Sequence, residues 1–412
     1  MNVKKSIQNN WKNLLFGALY FLWGSFFLVY KTVNIPKPPI LDKFRLLLNL
    51  VVLAALLFLI LLDWIKDWQK GYYYKILFSG IFLAIAFIVK GHGDGWLSLV
   101  MFVFLLASAS INFNYILSAF LGFSGLVMMG SFFLSSRGVN ILRNFISVRV
   151  GNGAIRYSLG FNWVTNPAQL AFFFVVAYVV LRNKKTTYWE ILLLELVSGY
   201  IYFYTDTINP FLLTTVLLAY MTFERFRAFK PLFLRVPFFK SVLSYPFALA
   251  AALMFMGAML PQGRVFQLLN RVFNRRFWLS YNGLVEYGIH SFGQRIVFRN
   301  QSEQGGFLAG YNYVDSSYIQ YTLLYGIFFI LFIIVALSLV TRNVVSENNE
   351  LLAVVLAILA IHAMFDPQLL WLWYSPFAML IGIKCFNPRQ ERQRFKWEEN
   401  LFGLLGPKVK QA

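Results

Sequence analysis

The chain has 412 residues, of which 59% are hydrophobic and only 13% charged, a composition that excludes an ordinary soluble protein and describes one lying mostly in lipid. Lys and Arg number 37 against 17 Asp and Glu, a formal charge of +20. In a membrane chain that excess sets topology and attracts anionic lipid before it suggests a nucleic acid, and no nucleic-acid partner is expected.

The amino terminus, MNVKKSIQNNWKN, has the charge of a signal peptide, but the apolar run behind it offers no small-residue cleavage site and reads as a retained first span. Apolar runs near the length that a hydrocarbon core of about 30 Å demands fall at 14–30, 46–62, 74–89, 96–109, 115–134, 167–181, 188–204, 208–224, 241–260, 318–340, 351–365 and 369–385. The run 96–109 is short enough for a re-entrant or tilted piece, which leaves ten, eleven or twelve spans open. The expectation is an all-α, polytopic membrane helix bundle of about 12 transmembrane helices, a single domain over 1–412 with external loops at 135–166 and 261–317 and a cytoplasmic tail at 386–412. No internal repeat is found, which argues against a two-halved transporter. The single cysteine, Cys385, excludes an intramolecular disulfide framework and a cysteine-built metal site.

With the amino terminus inside, the cytoplasmic segments collect 22 Lys and Arg against 15 outside, and ten of those 15 belong to the two long loops. The positive-inside rule then puts both termini in the cytoplasm, with the basic tail NPRQERQRFKWEEN as a topology lock on anionic lipid.

The two long loops contain arginine and no lysine, although the chain has 18 Lys and 19 Arg. Residues 135–166 carry Arg137, Arg143, Arg149 and Arg156 with no acid; residues 261–317 carry Arg264, Arg271, Arg275, Arg276, Arg295 and Arg299 against Glu286, Glu303 and Asp315. A planar forked guanidinium is the group that captures phosphate or carboxylate bidentately, so the loops read as anion receptors; the bland alternative is snorkelling to headgroups or pairing with the loop acids. An anion met outside the bilayer by a large bundle fits a lipid-linked pyrophosphate, its tail between helices and its head at loop level. Glycosyl transfer from such a donor needs a stabilised leaving group and a base for the attacking hydroxyl. Arginine supplies the first, and with no Asp-x-Asp pair and no His or Asp cluster at ligand spacing, neither metal nor cofactor is implied.

Three stretches carry a family likeness. Arg156-Tyr157-Ser158-Leu159-Gly160-Phe161 followed by Asn166-Pro167, the run Tyr313-Val314-Asp315-Ser316-Ser317-Tyr318 into Gln320-Tyr321 and Leu324-Tyr325-Gly326, and between them Leu269-Asn270-Arg271 through Arg276 with Glu286 to Gln294, resemble Wzy-type polysaccharide polymerases of Gram-positive bacteria, in the O-antigen polymerase and ligase superfamily. The sequence motifs cover 156–167 and 264–326; two stretches depart, Thr205–Pro210 standing where a Ser-Arg-Thr-like turn is expected and Ala168-Gln169 following Pro167 where an Asn-Pro-Asn-like turn is expected. The resemblance implies a GT-C-like enzyme in the cell membrane that polymerises undecaprenyl-pyrophosphate-linked oligosaccharide units outside the membrane, for capsule or exopolysaccharide. Its substrate would be the lipid-linked oligosaccharide, and its partners membrane lipid, a flippase and a chain-length regulator. An O-antigen ligase-like transferase is the neighbouring alternative, and a lipid-linked oligosaccharide flippase or exporter the alternative from another class.

Arg156, just before a Leu-Gly-Phe turn into a span, is the first candidate to hold the pyrophosphate, with interfacial anchoring as its rival role. Arg264, Arg271, Arg275 and Arg276 are further substrate-binding candidates. The run LLNRVFNRRFW has apolar residues at helical spacing and suggests an amphipathic helix on the membrane, with Arg271 and Arg275 one turn apart. His290 is the candidate base, with Glu286 competing for that role or orienting the imidazole from four residues earlier if the segment is helical. Asp315 and Tyr318 are the remaining substrate-binding candidates, Asp315 to bind acceptor hydroxyls or pair with Arg156; Trp163, Trp278 and Tyr281 would stack on sugar or form an interfacial belt. Glu190 and Glu195 lie within one span, and His362 with Asp366 forms a helical pair or a capped helix end at Pro367.

Overall fold

A computed structural model describes residues 3–92, 95–137, 146–148, 153–228, 232–260, 263–272, 275–299 and 312–386. Arg143, Arg149, Glu303 and the tail beyond Phe386 lie outside the described residues. Helices follow in order: α1 (Val3–Thr32), α2 (Pro39–Gln69), α3 (Tyr73–Lys90), α4 (Trp96–Ala107), α5 (Phe113–Ser136), α6 (Asn166–Arg182), α7 (Tyr188–Thr205), α8 (Ile208–Phe226), α9 (Pro237–Ser244), α10 (Pro246–Met259), α11 (Arg264–Val272), α12 (Arg276–Tyr287), α13 (Ser317–Tyr325), α14 (Ile327–Ser346) and α15 (Glu350–Phe365). Among the described residues the fold is all-α apart from one antiparallel pair of three-residue strands, β1 (Ile146–Val148) and β2 (Ile155–Tyr157), and an isolated bridge between Val33 and Phe161.

Among the described residues, five helices are long and apolar enough to cross a membrane, α1 from Asn10 onward, α2, α3, α5 and α14, and a sixth if α9 and α10 count as one span bent by 73°. Large apolar side chains such as Leu47, Phe58, Leu77, Phe87, Phe203 and Leu331 point outward from the bundle, as they do in a multi-pass membrane protein, where the solvent is lipid.

The short run at 96–109 is a central helix. Every residue of α4 from Leu97 to Ala107 is buried, so its 12 residues, about 18 Å of rise, need not match the bilayer because protein encloses them. The carboxyl-terminal segment packs directly on it: a Cβ at Gly382 would lie 1.8 Å from the Leu105 carbonyl, and Ser108 Oγ donates to the Met379 carbonyl at 2.8 Å.

Two expected spans are corrected. The run 318–340 is interrupted at Gly326, whose φ of +93° breaks it into α13 and α14. The run 369–385 forms no membrane-length α-helix; it passes through turns into one short mixed helix, Phe377–Phe386, which opens as a 3-10 turn at Phe377–Met379 and closes as a π-helical turn at Gly382–Phe386. Pro367 bars the α conformation at Asp366, which adopts ψ +145°, and the freed carbonyls need other donors. Side chains provide them: Ser317 Oγ to Asp366 O at 2.6 Å, Tyr321 OH to Pro367 O at 2.6 Å and Tyr20 OH to Leu372 O at 2.6 Å.

Polar contacts sort the helix ends into two groups. At one end, Asn162 N donates to Thr32 O at 2.8 Å, Arg156 reaches Thr205, and Gln169 and Ser317 meet Asp366. At the other, Lys12 pairs with Asp63 at 2.6 Å, Arg182 with Glu190 at 2.8 Å and Lys384 with Glu347 at 2.8 Å, while the Glu350 carboxylate accepts from the amides of Leu232, Phe233 and Leu234.

Candidate functional site

The loop-bearing end starts from a glycine. Leu159 and Gly160 have φ of +51° and +86°, and a Cβ on Gly160 would sit 2.8 Å from the Ser131 carbonyl, so the turn lies directly on the backbone of α5. Phe161 is buried beside it. The turn holds the β1–β2 hairpin, in which Ser147 faces Arg156. Arg156 is half-buried, its Nε donating to Thr205 O at 2.7 Å and an Nη to Thr207 Oγ1 at 3.1 Å. The α7–α8 turn, where the chain departs from the resembled family, is thus the seat of this guanidinium: Asp206 in left-handed conformation, φ +46°, ends α7 and turns the Thr205 carbonyl outward.

The second long connection is built around α12. Phe277 packs against Gly257 of α10, where a Cβ would approach its ring to 2.1 Å, and Gly283 admits Val314 in the same way. Arg276, at the first turn of α12, makes its ion pair with Asp315, so Asp315 is joined to Arg276 rather than to Arg156. The expected single helix bearing Arg271 and Arg275 is also corrected. α11 ends at Val272, and Arg275 is left-handed, φ +63°, at the start of α12. Asn270 bridges the two helices, its carbonyl accepting from Arg275 N at 2.7 Å and its Oδ1 from Trp278 N at 3.1 Å. Arg264, Arg271 and Arg275 are exposed, as are Arg295 and Arg299.

Glu286 and His290 do not share a helical face, because α12 stops at Tyr287 and Gly288 takes φ +67°. Both side chains are exposed. His290 Nε2 lies 3.2 Å from Tyr287 O, so that nitrogen carries a proton and Nδ1 is the one able to accept. Burial and then the hydrogen bond that its hydroxyl donates to Glu286 push the Tyr287 phenol upward, while Asn312 Nδ2 donates to the same oxygen at 2.7 Å. Beyond His290 the chain lies backbone to backbone on the α13–α14 break: Ile327 N donates to His290 O at 3.0 Å and Gln294 N to Leu324 O at 3.1 Å. Gly293 and Gly326 make that approach feasible, since a Cβ on either would come within 2.5 Å of main-chain atoms.

Tyr318 is corrected from a substrate contact to a core residue. It is fully buried, and its hydroxyl donates to Ala360 O of α15 at 3.0 Å. In its place the structure offers a buried polar group not expected from the sequence. Gln169 Nε2 donates to Asp366 Oδ1 at 2.6 Å, and Ser317 Oγ to the Asp366 carbonyl. His362, stacked on Phe172 at 4.7 Å, brings Nε2 to 3.5 Å from Asp366 Oδ2. His362 with Asp366 is therefore both the i,i+4 pair and the capped helix end. The signal for Gln169 was an amide one turn inside an apolar run.

The arrangement thus brings together Arg276 with Asp315 and ties both loop exits to Asp366, seats Arg156 on the α7–α8 turn, and leaves His290, Glu286 and Arg264, Arg271, Arg275, Arg295 and Arg299 facing outward. Among the described residues no three His, Cys, Asp or Glu side chains converge as metal ligands would. No family model, curated protein or solved structure matches the chain.

Proposed function

We propose that the chain is a repeat-unit polymerase that joins undecaprenyl-pyrophosphate-linked oligosaccharides into polysaccharide on the outer face of the cell membrane. One observation carries the reading: both lysine-free, arginine-bearing connections lead into the same end of the bundle, because Gln169 in the helix after the first and Ser317 at the start of the helix after the second meet at Asp366. Forked cations gathered at one mouth of a membrane bundle suit an anion whose tail stays in lipid.

In this reading the acceptor hydroxyl attacks the anomeric carbon of the donor, the bond from that carbon to the pyrophosphate oxygen breaks, and the hydroxyl proton passes to His290 Nδ1 or the Glu286 carboxylate. Arg156, on its hairpin, and the exposed Arg264, Arg271 and Arg275 take the charge that develops on undecaprenyl pyrophosphate, a role arginine fills without a metal. The architecture is GT-C-like, with twelve crossings, the last of them the irregular segment after α15, both termini in the cytoplasm and the arginines outside.

The test is genetic and chemical together. Cells lacking the chain should keep single lipid-linked repeats and lose long polysaccharide, and reporter fusions at Gly263 should be active only outside the cytoplasm. Long polymer in the deletion strain, or a cytoplasmic Gly263, removes the assignment.

A further inference from the structure

The connection between α1 and α2 lies beside the turn that carries the Arg156 hairpin. Asn34 N donates to Gly160 O at 3.1 Å, Asn162 Nδ2 to Lys31 O at 2.8 Å, and Val33 bridges Phe161. α1 ends at Thr32 and α2 opens at Pro39, and both are long and apolar enough to cross a membrane, so the connection stands at the bilayer surface, the level of lipid phosphates. Short outer connections are normally poor in cations. Yet of the five Lys and Arg that the positive-inside count leaves outside beyond the two long loops, four lie here: Lys31, Lys37, Lys43 and Arg45.

Tyr30 organises them. Stacked on Phe26 at 5.6 Å, its ring has Lys37 Nζ 5.3 Å and the Arg45 guanidinium 5.2 Å from its centre. Its hydroxyl donates to Asp42 Oδ1 at 2.6 Å, and the same oxygen lies 3.5 Å from Arg45 Nη2. Asp42 is the one acid in the sequence from Lys31 to Arg45. Lys37 and Lys43 make no ion pair among the described residues, so Lys37, Lys43 and Arg45 against Asp42 leave a surplus of two positive charges. Partial burial and then Lys31 hold the Lys37 ammonium below the ordinary lysine value, with Asp42 opposing; an anion at this point relieves the repulsion between the lysines. The turn also leads into lipid. Ile40, Phe44, Leu47 and Val51, at spacings of four, three and four, follow one face of α2 and are all exposed, and Lys43 flanks that stripe, three residues from Ile40 and four from Leu47.

We infer that the α1–α2 turn holds the pyrophosphate of the acceptor, the second lipid-linked substrate of the polymerase. The inference rests on the polymerase reading and follows from its stoichiometry: donor and acceptor both carry a pyrophosphate, and only the donor's departs. The departing group gains charge during the reaction and calls for the forked donors of Arg156 and the loop arginines. The acceptor's pyrophosphate keeps its charge and has only to be held in place, which lysine does as a point charge. A pyrophosphate diester carries two negative charges, matching the surplus at the turn, and its polyprenyl chain would follow the apolar stripe of α2. The single phosphate of a phospholipid headgroup meets half of that surplus. The contacts from Asn34 and Asn162 to the Arg156 turn then place acceptor and donor side by side.

The test measures binding of undecaprenyl pyrophosphate, which carries no sugar to transfer, to the full-length protein in phosphatidylcholine nanodiscs. Wild type should bind two equivalents per chain. Lys37→Gln combined with Lys43→Gln, both at exposed positions that folding does not need, should weaken one equivalent by about tenfold or more, the size of a lost charge-assisted contact. Lys37→Arg combined with Lys43→Arg should keep both equivalents, and Arg156→Lys should weaken the other one. Phosphatidylglycerol at the same mole fraction should displace neither. Two tight equivalents in the glutamine variant would overturn the assignment, as would displacement from the turn by phosphatidylglycerol, which would make it an ordinary anionic-lipid site. A single equivalent that Arg156→Lys weakens and the glutamine variant does not would remove this inference alone, whereas no binding to wild type would remove the polymerase reading with it.

Discussion

The Gln169 amide donates to the Asp366 carboxylate at 2.6 Å across 197 residues of sequence. That bond joins the helix after the first arginine-bearing connection to the end of α15, and Ser317, starting the helix after the second, donates to the same residue's carbonyl. Both polar partners are at least nine-tenths buried, so no water replaces a lost donor. Gln169→Leu should therefore destabilise the bundle by about 2 kcal/mol, the scale of a hydrogen bond to a charged group. The readout is a lower melting temperature of the purified protein in detergent; an unchanged melt would show that Asp366 does not depend on this donor.

Arg156 is held through two different nitrogens, Nε on the Thr205 carbonyl and an Nη on Thr207 Oγ1. Lysine keeps the charge but cannot make both contacts. Arg156→Lys should shorten polysaccharide to single or few repeats while the protein still inserts and accumulates. Chain length is read by gel, and a normal ladder would detach Arg156 from the reaction.

The His290–Gln294 segment is stapled to the α13–α14 break through glycines. Gly293→Ala places a methyl 2.2 Å from Leu324 O, and Gly326→Ala one 2.4 Å from Ser291 O, both main-chain atoms at positive-φ positions. Each should cost on the order of 1–3 kcal/mol locally and lift the segment from the bundle. Limited proteolysis between 288 and 299 should accelerate in both variants, and protection equal to wild type would mean that the close approach does not hold the loop.

His290 and Glu286 are two candidates for one proton. Since they do not lie on one helical face, they act separately, and only one substitution of His290→Ala and Glu286→Gln should lower turnover, by about 10²- to 10⁴-fold, as loss of a general base does. Full activity in both variants would send the search for the base elsewhere.

Much of the architecture was legible because lipid imposes it: apolar runs of membrane length in 46–62, 74–89 and 115–134 became α2, α3 and α5. Hydropathy could not distinguish a helix from the irregular segment after Asp366, because both are apolar; what decides is Pro367 together with hydroxyls from Ser317, Tyr321 and Tyr20, remote in sequence. Helical periodicity likewise ran across Asn270–Phe277 without revealing that α11 ends at Val272 and that Asn270 bonds across to the start of α12. At the loop end, the arginine and lysine bias was visible in composition, but the partner of each cation was not: Asp315 goes to Arg276, and the Thr205–Thr207 turn, a departure from the resembled pattern, takes Arg156. Tyr318 looked like a loop-edge contact because it follows Asp315, yet the chain is already in the core where α13 begins, with Ser316, Ser317 and Tyr318 all buried.

The most direct measurement of the central claim is a reconstitution: purified protein in vesicles, a defined undecaprenyl-pyrophosphate-linked oligosaccharide, and a chelator throughout. A ladder of products rising by one repeat unit, lost in Arg156→Lys, is the predicted result. Unchanged monomer with the wild-type protein, or the same ladder from the lysine variant, would contradict an arginine-held pyrophosphate as the leaving group.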